Sequence, residues 1–489
     1  MKRLVFLIVW AALLIPPGTQ ARNIWAYLSY ATFSSPEGPY IETYLSIEAS
    51  TVLFVWQEDG NYQGTVNIIM TFKQNNEIRA FKKYELKSPV VADTLKRNFQ
   101  FIDQQRFLLP NGNYDFELQL VDPNVRTPAT VAPYTQTVTI DYPAGKPAVS
   151  GIELVKSYIK SETQTELSKS GFDLVTTVYS FYPSSDNRMI FYFEIYYMDS
   201  HIGPGNKYLL SYFVETFENN QLVRDLARSR KETARPVSPI LADFNINNLP
   251  TGNYNLVVEI RDHMNTVLSN RKLFFQRSNP NAQMTMEELT TVNPAGSFVE
   301  QLTNIDSLRE FVSSTYPISS ALEKNFLKGN LKTASLQVLQ QYFLGFWQRR
   351  NPSDPRQAWE NYRYQVEVAQ HNFGTPVKKG YQTDRGRVFL QYGAPNVRVE
   401  RNNEPSNYPY EIWQYYSLGN QTNRKFVFYS PDLVTSDFYL LHSDALGEFN
   451  NPRWQVDLRS RIYQTIDLSD TQVINAWGDM QEDYWTMPY

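Results

Sequence analysis

The sequence predicts a multidomain, β-rich protein with two tandem β-sandwiches followed by an α+β domain, in which helices pack on a short antiparallel sheet. Two observations carry this prediction. A turn-and-strand motif occurs twice in the first half of the chain, and its copies are 140 residues apart. From about residue 300 onward, the spacing of apolar residues changes from two, which is typical of strands, to three or four, which is typical of helices.

The composition supports globular domains and excludes several classes of function. The chain has 489 residues, of which 42% are hydrophobic and 20% charged, so we expect about three folded domains rather than disorder. The net charge is -4 without any long basic tract, so nucleic-acid binding has no electrostatic basis. The absence of cysteine excludes disulfides, thiolate catalysis and Cys-ligated zinc, and no two of the 4 histidines have zinc-ligand spacing. We therefore expect neither a metal nor another cofactor.

Residues 1–21 have the pattern of a secretory signal peptide. Lys2 and Arg3 precede an apolar run that is too short for a comfortable membrane span, and Thr19-Gln20-Ala21 places small residues at a cleavage site. A retained membrane anchor is the alternative. No later window reaches 18 consecutive apolar residues, so we expect no transmembrane segment in the mature chain. A large exported chain without cysteine predicts a bacterial envelope protein, stabilised by large cores rather than by disulfides.

The repeated motif predicts the two sandwiches, at residues 22–144 and 145–279. The motif is LPNGNY at residues 109–114 and LPTGNY at residues 249–254, and alternating apolar residues follow each copy. Pro and Gly are typical of a tight turn, and the alternation predicts a half-buried strand. The tyrosine beside the turn resembles the tyrosine corner of immunoglobulin-like and fibronectin-like sandwiches, whose hydroxyl bonds to nearby backbone. Two unrelated β domains with a common turn are the alternative.

A linker at residues 280–298 and an α+β domain at residues 299–489 are predicted next. Apolar residues recur at helical spacing along two segments, Leu336, Leu339, Phe343 and Phe346, then Trp359, Tyr362, Val366, Ala369 and Phe373. Asp354 is the expected N-cap of the second helix, with Pro355 at its first position. Four strands are expected to form an antiparallel sheet: Arg387–Tyr392, Tyr410–Tyr416, Lys425–Tyr429 and Phe438–His442.

Four motifs in this C-terminal part carry a family resemblance. They are FWQRRNP at 346–352, GYQTDRGRV at 380–388, QYGAP at 391–395 and YEIW at 410–413. In order and spacing they resemble the GWxTD-domain family, exported proteins of Gram-negative bacteria in which β-sandwich modules commonly precede the named domain. The family's tryptophan is Tyr381 here, which preserves a packing role and weakens any role that needs an indole N–H. The family has no established activity that could be assigned to this chain. The resemblance therefore implies an architecture and a periplasmic or outer-membrane-associated location rather than a reaction.

Asp384 is the strongest candidate for a catalytic or ligand-binding residue. An aspartate beside Arg385 and Arg387 could hold an ionised carboxylate or bind an anionic ligand. The alternative is a turn that enters a strand, in which Asp384 accepts hydrogen bonds from backbone N–H groups.

The leading functional hypothesis is a non-enzymatic envelope protein whose last domain binds other envelope or outer-membrane proteins. Its expected binding residues are Tyr381, Asp384, Arg385, Arg387, Trp413 and Trp485. The second hypothesis is a hydrolase that acts on envelope polymers, and it requires its candidate catalytic residues to meet in one concave site: Asp384, Arg387, Glu411 and His442. The third is glycan capture by exposed aromatic residues, with Trp413 or Trp485 as candidates. The aromatic and acidic tail from residue 477 could dock on a partner or cover the protein's own core.

Overall fold

The structure is a computed structural model that describes residues 24–125, 133–162, 168–218, 220–279, 292–419, 421–432, 437–459 and 480–486. The predicted signal peptide and most of the predicted linker lie outside the described residues. The chain divides into two compact units. Of the described residues, the first unit contains those from 24 to 28 and from 43 to 141, and the second contains those from 29 to 42 and from 142 onward.

The first part of the chain is built from strands. In order they are β1 Ala26–Ser35, β2 Gly38–Glu48, β3 Phe54–Trp56, β4 Tyr62–Gln74, β5 Glu77–Lys87, β6 Gln100–Leu108, β7 Gly112–Val121 and β8 Tyr134–Ile140. Strands β1, β2 and β6 form one sheet, and β3, β4, β7 and β8 form another, with β5 paired to β4. Phe72 on β4 contacts both Phe107 on β6 and Phe116 on β7, with ring centroids 4.9 and 4.7 Å apart. The two sheets therefore enclose one aromatic core.

The second sandwich follows in the second unit. Its elements are β9 Ala148–Val149, β10 Glu153–Lys160, β11 Ser168–Lys169, β12 Phe172–Thr176, β13 Phe181–Tyr182, β14 Arg188–Tyr196, α1 Met198–Ile202, β15 Lys207–Thr216, β16 Leu222–Thr233, β17 Val237–Asn245, β18 Gly252–Arg261 and β19 Val267–Arg277. One sheet has the order β11-β12-β10-β14-β17, with β9 on β14, and the other β13-β19-β18-β15-β16. Phe191 on β14 packs on Tyr212 on β15, which places the core between the two sheets.

The sequence repeat forms the same local structure twice. Strands β7 and β18 both begin at the glycine of the motif. The Tyr114 hydroxyl donates a hydrogen bond to the carbonyl oxygen of Pro110 at 2.8 Å, and the Tyr254 hydroxyl donates to that of Pro250 at 3.0 Å. A Cβ at Gly252 would lie 3.2 Å from the Tyr254 ring, so the motif uses glycine where the ring folds back over the turn. Both tyrosine corners are confirmed.

Tyr114→Phe and Tyr254→Phe are each expected to lower the free energy of unfolding by about 1–2 kcal/mol, because each substitution removes the hydrogen bond from a buried tyrosine to the proline carbonyl of its corner. Urea titration followed by circular dichroism measures the change. Tyr134→Phe is the matched control, since the side chain of Tyr134 is 52% exposed, and it should change the stability by less than about 0.5 kcal/mol. Unchanged unfolding of both corner variants would remove the role of the hydroxyl groups.

The C-terminal part of the second unit is an α+β domain. Its helices are α2 Ile305–Ser314, α3 Ala321–Asn330, α4 Leu336–Arg350, α5 Pro355–Phe373, α6 Asp384–Tyr392, α7 Trp454–Leu458 and α8 Gln481–Thr486. Its antiparallel sheet has the order β20 Val397–Arg401, β21 Tyr410–Leu418, β22 Gln421–Tyr429 and β23 Tyr439–Ser443. Asp354 caps α5 as predicted, accepting a hydrogen bond from the Gln357 N–H at 2.9 Å. One core joins helix residues such as Phe343 and Trp359 to sheet residues such as Trp413 and Phe428.

The strand predicted at Arg387–Tyr392 is wrong, because these residues belong to helix α6. Its apolar residues form too short a run for periodicity to distinguish a strand from a helix. The hydroxyl of Thr383 accepts a hydrogen bond from the Gly386 N–H at 3.1 Å, which is a helix N-cap rather than a turn into a strand. The fourth strand of the sheet is β20 instead, and it pairs with β21.

Candidate functional site

The GYQTDRG segment forms a tight connection between α5 and α6. Residues Gly380–Gln382 form a short 3-10 turn, and α6 starts directly after Thr383. A Cβ at Gly386 would lie 1.8 Å from the carbonyl oxygen of Gly380, and a Cβ at Gly380 would lie 2.3 Å from that of Ala369 on α5. Both glycines are therefore required for close backbone packing, which fixes the direction of α6.

Tyr381 is a packing residue whose hydroxyl is engaged in polar contacts. It belongs to the main core of the domain and is 6% exposed. Its hydroxyl donates to the Ser313 hydroxyl at 3.2 Å, and burial raises the pKa of the Tyr381 phenol to about 12. The phenol therefore stays protonated at neutral pH and supplies no base.

Asp384 and Arg387 hold α6 to neighbouring elements. The Asp384 carboxylate accepts a hydrogen bond from the backbone N–H of Leu440 at 2.7 Å and lies in the first turn of α6, where the helix dipole favours a negative charge. The Arg387 guanidinium donates to both carboxylate oxygens of Glu448, at 2.8 and 2.7 Å. Two parallel hydrogen bonds of this kind fix the orientation of both groups.

Arg385 and Glu411 form the centre of a buried polar cluster. Glu411 is 0% exposed, and its carboxylate accepts hydrogen bonds from Arg385 at 2.6 Å, from Arg398 at 2.9 Å and from the Trp413 indole N–H at 2.7 Å. The Arg385 guanidinium carbon lies 4.1 Å from the centre of the Phe438 ring. This carboxylate is desolvated and surrounded by donors, so it has no access to a substrate.

His442 lies on the opposite face of the sheet from Glu411. Successive strand residues point to opposite faces, and Glu411 and Trp413 face the helices, whereas Tyr410 and Ile412 form a second cluster with Trp454. The His442 ring stacks on Trp454, with centroids 5.8 Å apart, and its Nδ1 accepts a hydrogen bond from the Asn451 N–H at 3.0 Å. The structure therefore does not bring the four candidate catalytic residues into one concave site.

The environment of His442 predicts a pH-dependent stability. Burial lowers the pKa of His442 from 6.5 to about 4. Between these two pKa values the unfolded chain binds more protons than the native protein does. The free energy of unfolding therefore rises with pH through this window, and acidification from pH 6.5 to 4 removes up to about 3 kcal/mol. Urea titrations across the window should show a flatter dependence for His442→Phe than for the unchanged chain, and equal slopes would contradict this role.

The C-terminal helix α8 packs on the same face of the sheet as His442. The Trp485 ring contacts His442 and Trp454, with centroids 4.9 and 5.3 Å apart, and its carbonyl oxygen accepts a hydrogen bond from Lys425 Nζ. Residues 480–486 thus cover the protein's own core, which was one of the two alternatives for the tail. Trp477 and the last three residues lie outside the described part of the chain.

The expectation of an exposed Trp413 is wrong, since this residue is 0% exposed and its indole is held by Glu411. Sequence patterning could not reveal this burial, because β21 is covered on both faces, by helices on one and by α7 and α8 on the other. Trp413 therefore offers no ring face for stacking on a sugar, and Trp485 packs on His442 and Trp454.

A surface pocket of about 350 Å³ lies at the motif itself and brings together three of the expected binding residues, Tyr381, Asp384 and Arg387. Its other lining residues come mainly from the end of α2 and from α3: Ser313, Tyr316, Leu327, Lys328, Leu331 and Gln382. The sequence analysis missed the α3 residues. The Ser320 and Glu323 capping box could have located that helix, but not its position beside the motif.

Within the described ranges, no group of three or more His, Asp or Glu residues could hold a metal ion. Over the same ranges, every helix is too short or too polar to cross a membrane.

Comparisons with known proteins support the C-terminal assignment. Residues 287–453 match the model of the GWxTD domain, which confirms the resemblance of the four motifs. Among curated proteins, no sequence matches the chain significantly.

Solved structures also match parts of the chain, at low identity. A glycosyl hydrolase family 2 member from Bacteroides cellulosilyticus is 8% identical over 48% of this chain and 26% of its own, with a TM-score of 0.18. A DUF3823 family protein from Bacteroides ovatus is 11% identical over 46% of this chain and 95% of its own, with a TM-score of 0.18. Fibronectin(III)-like modules of Clostridium thermocellum CbhA are 10% identical over 50% of this chain and 89% of their own, with a TM-score of 0.15. The chain thus spans about a quarter of the hydrolase, and TM-scores this low carry no argument about function.

Proposed function

Because residues 287–453 form a GWxTD domain, we propose that the protein is a non-enzymatic interaction subunit of the bacterial cell envelope. The proposal includes export through the signal-like residues 1–21 and a periplasmic or outer-membrane-associated location in a Gram-negative bacterium. Its partners are other envelope proteins, bound through the pocket at the motif while the two sandwiches act as spacers.

One observation carries the proposal: the charged side chains of the motif are engaged inside the fold. Asp384 accepts from Leu440, Arg385 pairs with Glu411, and Arg387 pairs with Glu448. A catalytic acid or base needs an accessible carboxylate or imidazole near a bound substrate. These ion pairs instead fix the shape of the domain surface, which is what recognition of a protein partner requires.

The pocket at the motif has the chemistry of a protein contact. Leu327, Leu331 and Tyr316 supply apolar surface, and Lys328 at its edge is exposed and carries a positive charge. Interfaces commonly combine an apolar centre with a polar rim, and a charge on the rim mainly affects the rate of association and the choice of partner.

The test is affinity purification from cross-linked native envelopes with a tagged chain, followed by mass spectrometry. Lys328→Glu reverses the rim charge without touching the core, and Lys332→Glu is its matched control, an exposed lysine that does not line the pocket. The unchanged chain and Lys332→Glu should recover the same partner, and Lys328→Glu should recover at least about tenfold less, a change worth about 1.4 kcal/mol.

The captured partner is then purified and its affinity for the three chains is measured directly. Recovery of the chain alone from every preparation would contradict the interaction role. Equal affinities of Lys328→Glu and Lys332→Glu would show that the pocket is not the contact.

A further inference from the structure

A second pocket, of about 470 Å³, lies between the second sandwich and the GWxTD domain, within one compact unit. The sandwich contributes Phe217, Glu218, Asn220, Asn255 and Lys272, and the GWxTD domain contributes the end of α6 and the turn between β21 and β22. Its volume is in the range of pockets that hold small molecules. Of the four sequence motifs, only QYGAP contributes residues to the lining of this pocket, namely Gln391 and Tyr392.

Among the described residues, two charged side chains line the pocket, Glu218 and Lys272, and only Lys272 has a direct ion-pair partner. The Lys272 ammonium is 2.5 Å from the Glu215 carboxylate, which also accepts a hydrogen bond from the Asn255 amide at 3.2 Å. The Lys272 charge is therefore compensated. Glu218 makes no ion pair with any Lys or Arg of the described chain, although it is partly buried. Burial raises the pKa of its carboxyl more than the nearby charges of Lys324 and Arg350 lower it.

An amide oxygen of the pocket lining lacks a hydrogen-bond donor. Asn255 is 4% exposed, and its Oδ1 atom has no hydrogen-bond partner among the described residues. Buried polar atoms without partners are rare in folded proteins, and each costs about 1–3 kcal/mol. The amide group of Gln391 and the hydroxyl of Tyr392, by contrast, are both engaged, with each other, with Arg387 and with Glu448. The pocket therefore presents an amide oxygen without a donor and a carboxylate without a direct ion pair, and the charges of Lys324 and Arg350 act on that carboxylate from nearby.

We propose that this pocket binds the primary ammonium group of an organic ligand, with the Glu218 carboxylate as its counter-charge and Asn255 Oδ1 as a second acceptor. An ammonium group offers three donors and a compact charge. The rings of Phe217 and Tyr392, together with Leu418, contact the apolar stem of the ligand. The ligand is either a free amine or a lysine side chain of a peptide, since both present the same group on an apolar stem.

Isothermal titration calorimetry on the purified mature chain tests the proposal with three probes. Pentylamine represents a free amine, Nα-acetyl-lysine amide represents a peptide lysine, and pentanol has the size of the amine without its charge. At least one of the two ammonium probes should bind at least about tenfold more tightly than pentanol, and the tighter of the two identifies the source. Binding of pentanol equal to that of both ammonium probes, or no binding by either of them, would overturn the proposal.

Two substitutions in the pocket and one control outside it keep the test independent of folding. Glu218→Gln keeps the shape and removes the charge, and it should weaken binding at least about tenfold, whereas the exposed Glu367→Gln should leave binding unchanged. Ser417→Trp fills the pocket from an exposed position on its wall and should also abolish binding. Unchanged affinity in both pocket variants would overturn the assignment. Neither variant alters the pocket at the motif, so failure here leaves the proposed interaction role standing.

Discussion

Replacing Glu411 by alanine is expected to lower the free energy of unfolding by about 3–5 kcal/mol. The Glu411 carboxylate is fully buried and accepts hydrogen bonds from Arg385, Arg398 and the Trp413 indole. Its removal leaves the guanidinium of Arg385, which is 8% exposed, in the core without this counter-charge. Removing one partner of a buried ion pair costs far more than the pair contributes to stability, because the remaining charge stays desolvated.

Urea unfolding followed by tryptophan fluorescence measures this effect. Six of the 9 tryptophans lie beyond residue 346, so the signal reports mainly on the C-terminal part of the chain. Glu400→Ala is the matched control. Glu400 is exposed and lies 3.3 Å from the same Arg398, so its loss should cost less than about 0.5 kcal/mol. A loss below about 1 kcal/mol for Glu411→Ala would contradict the buried cluster.

The second large effect is expected at Lys169, whose replacement by methionine should cost about 3–5 kcal/mol. The Lys169 ammonium lies between the carboxylates of Glu42 and Glu153, 2.5 Å from the latter, and 4.1 Å from the centre of the Phe33 ring. All three ionisable side chains are at most 5% exposed. Without the ammonium group, two desolvated carboxylates remain close together, which is unfavourable for both.

Differential scanning calorimetry of three chains separates this charge effect from a packing effect. Lys156→Met is the control, because Lys156 is exposed on β10 and its loss should be nearly neutral. Replacing Lys169, Glu42 and Glu153 together by methionine should recover most of the loss, since a well-packed apolar group can substitute for a buried ion cluster. If Lys169→Met melts like the unchanged chain, the cluster does not stabilise the unit.

Local features of the fold were predictable from the sequence. The tyrosine corner joins Tyr114 to Pro110, four residues away, and the same spacing recurs at Tyr254. The cap of α5 joins Asp354 to Gln357, three residues away. Interactions over three or four residues are encoded in one short segment, so their geometry follows from residue types and spacing. Residues 387–392 were predicted as a strand but belong to helix α6. Their short apolar run fits a helix and a strand equally well.

The candidate site was predictable only in part, because its contacts are distant in sequence. Arg385 pairs with Glu411, 26 residues away, and Arg387 pairs with Glu448, 61 residues away. The sequence contains 50 acidic residues, and nothing in their order tells which of them meets which arginine. Sequence patterns placed Tyr381, Asp384 and Arg387 in one functional segment, but Lys328 and Leu331 join them only through the packing of α3.

The sequence by itself determined the β-rich architecture, the duplicated corner and the GWxTD domain, because periodicity, turn chemistry and motif order are properties of short segments. Only the tertiary structure decided what the polar residues do. It buried Glu411 among hydrogen-bond donors, placed His442 on the other face of the sheet and left Glu218 without a direct ion pair to any described Lys or Arg. The physical reason is that burial sets the energy of a charge, and burial is decided by elements that are remote along the chain.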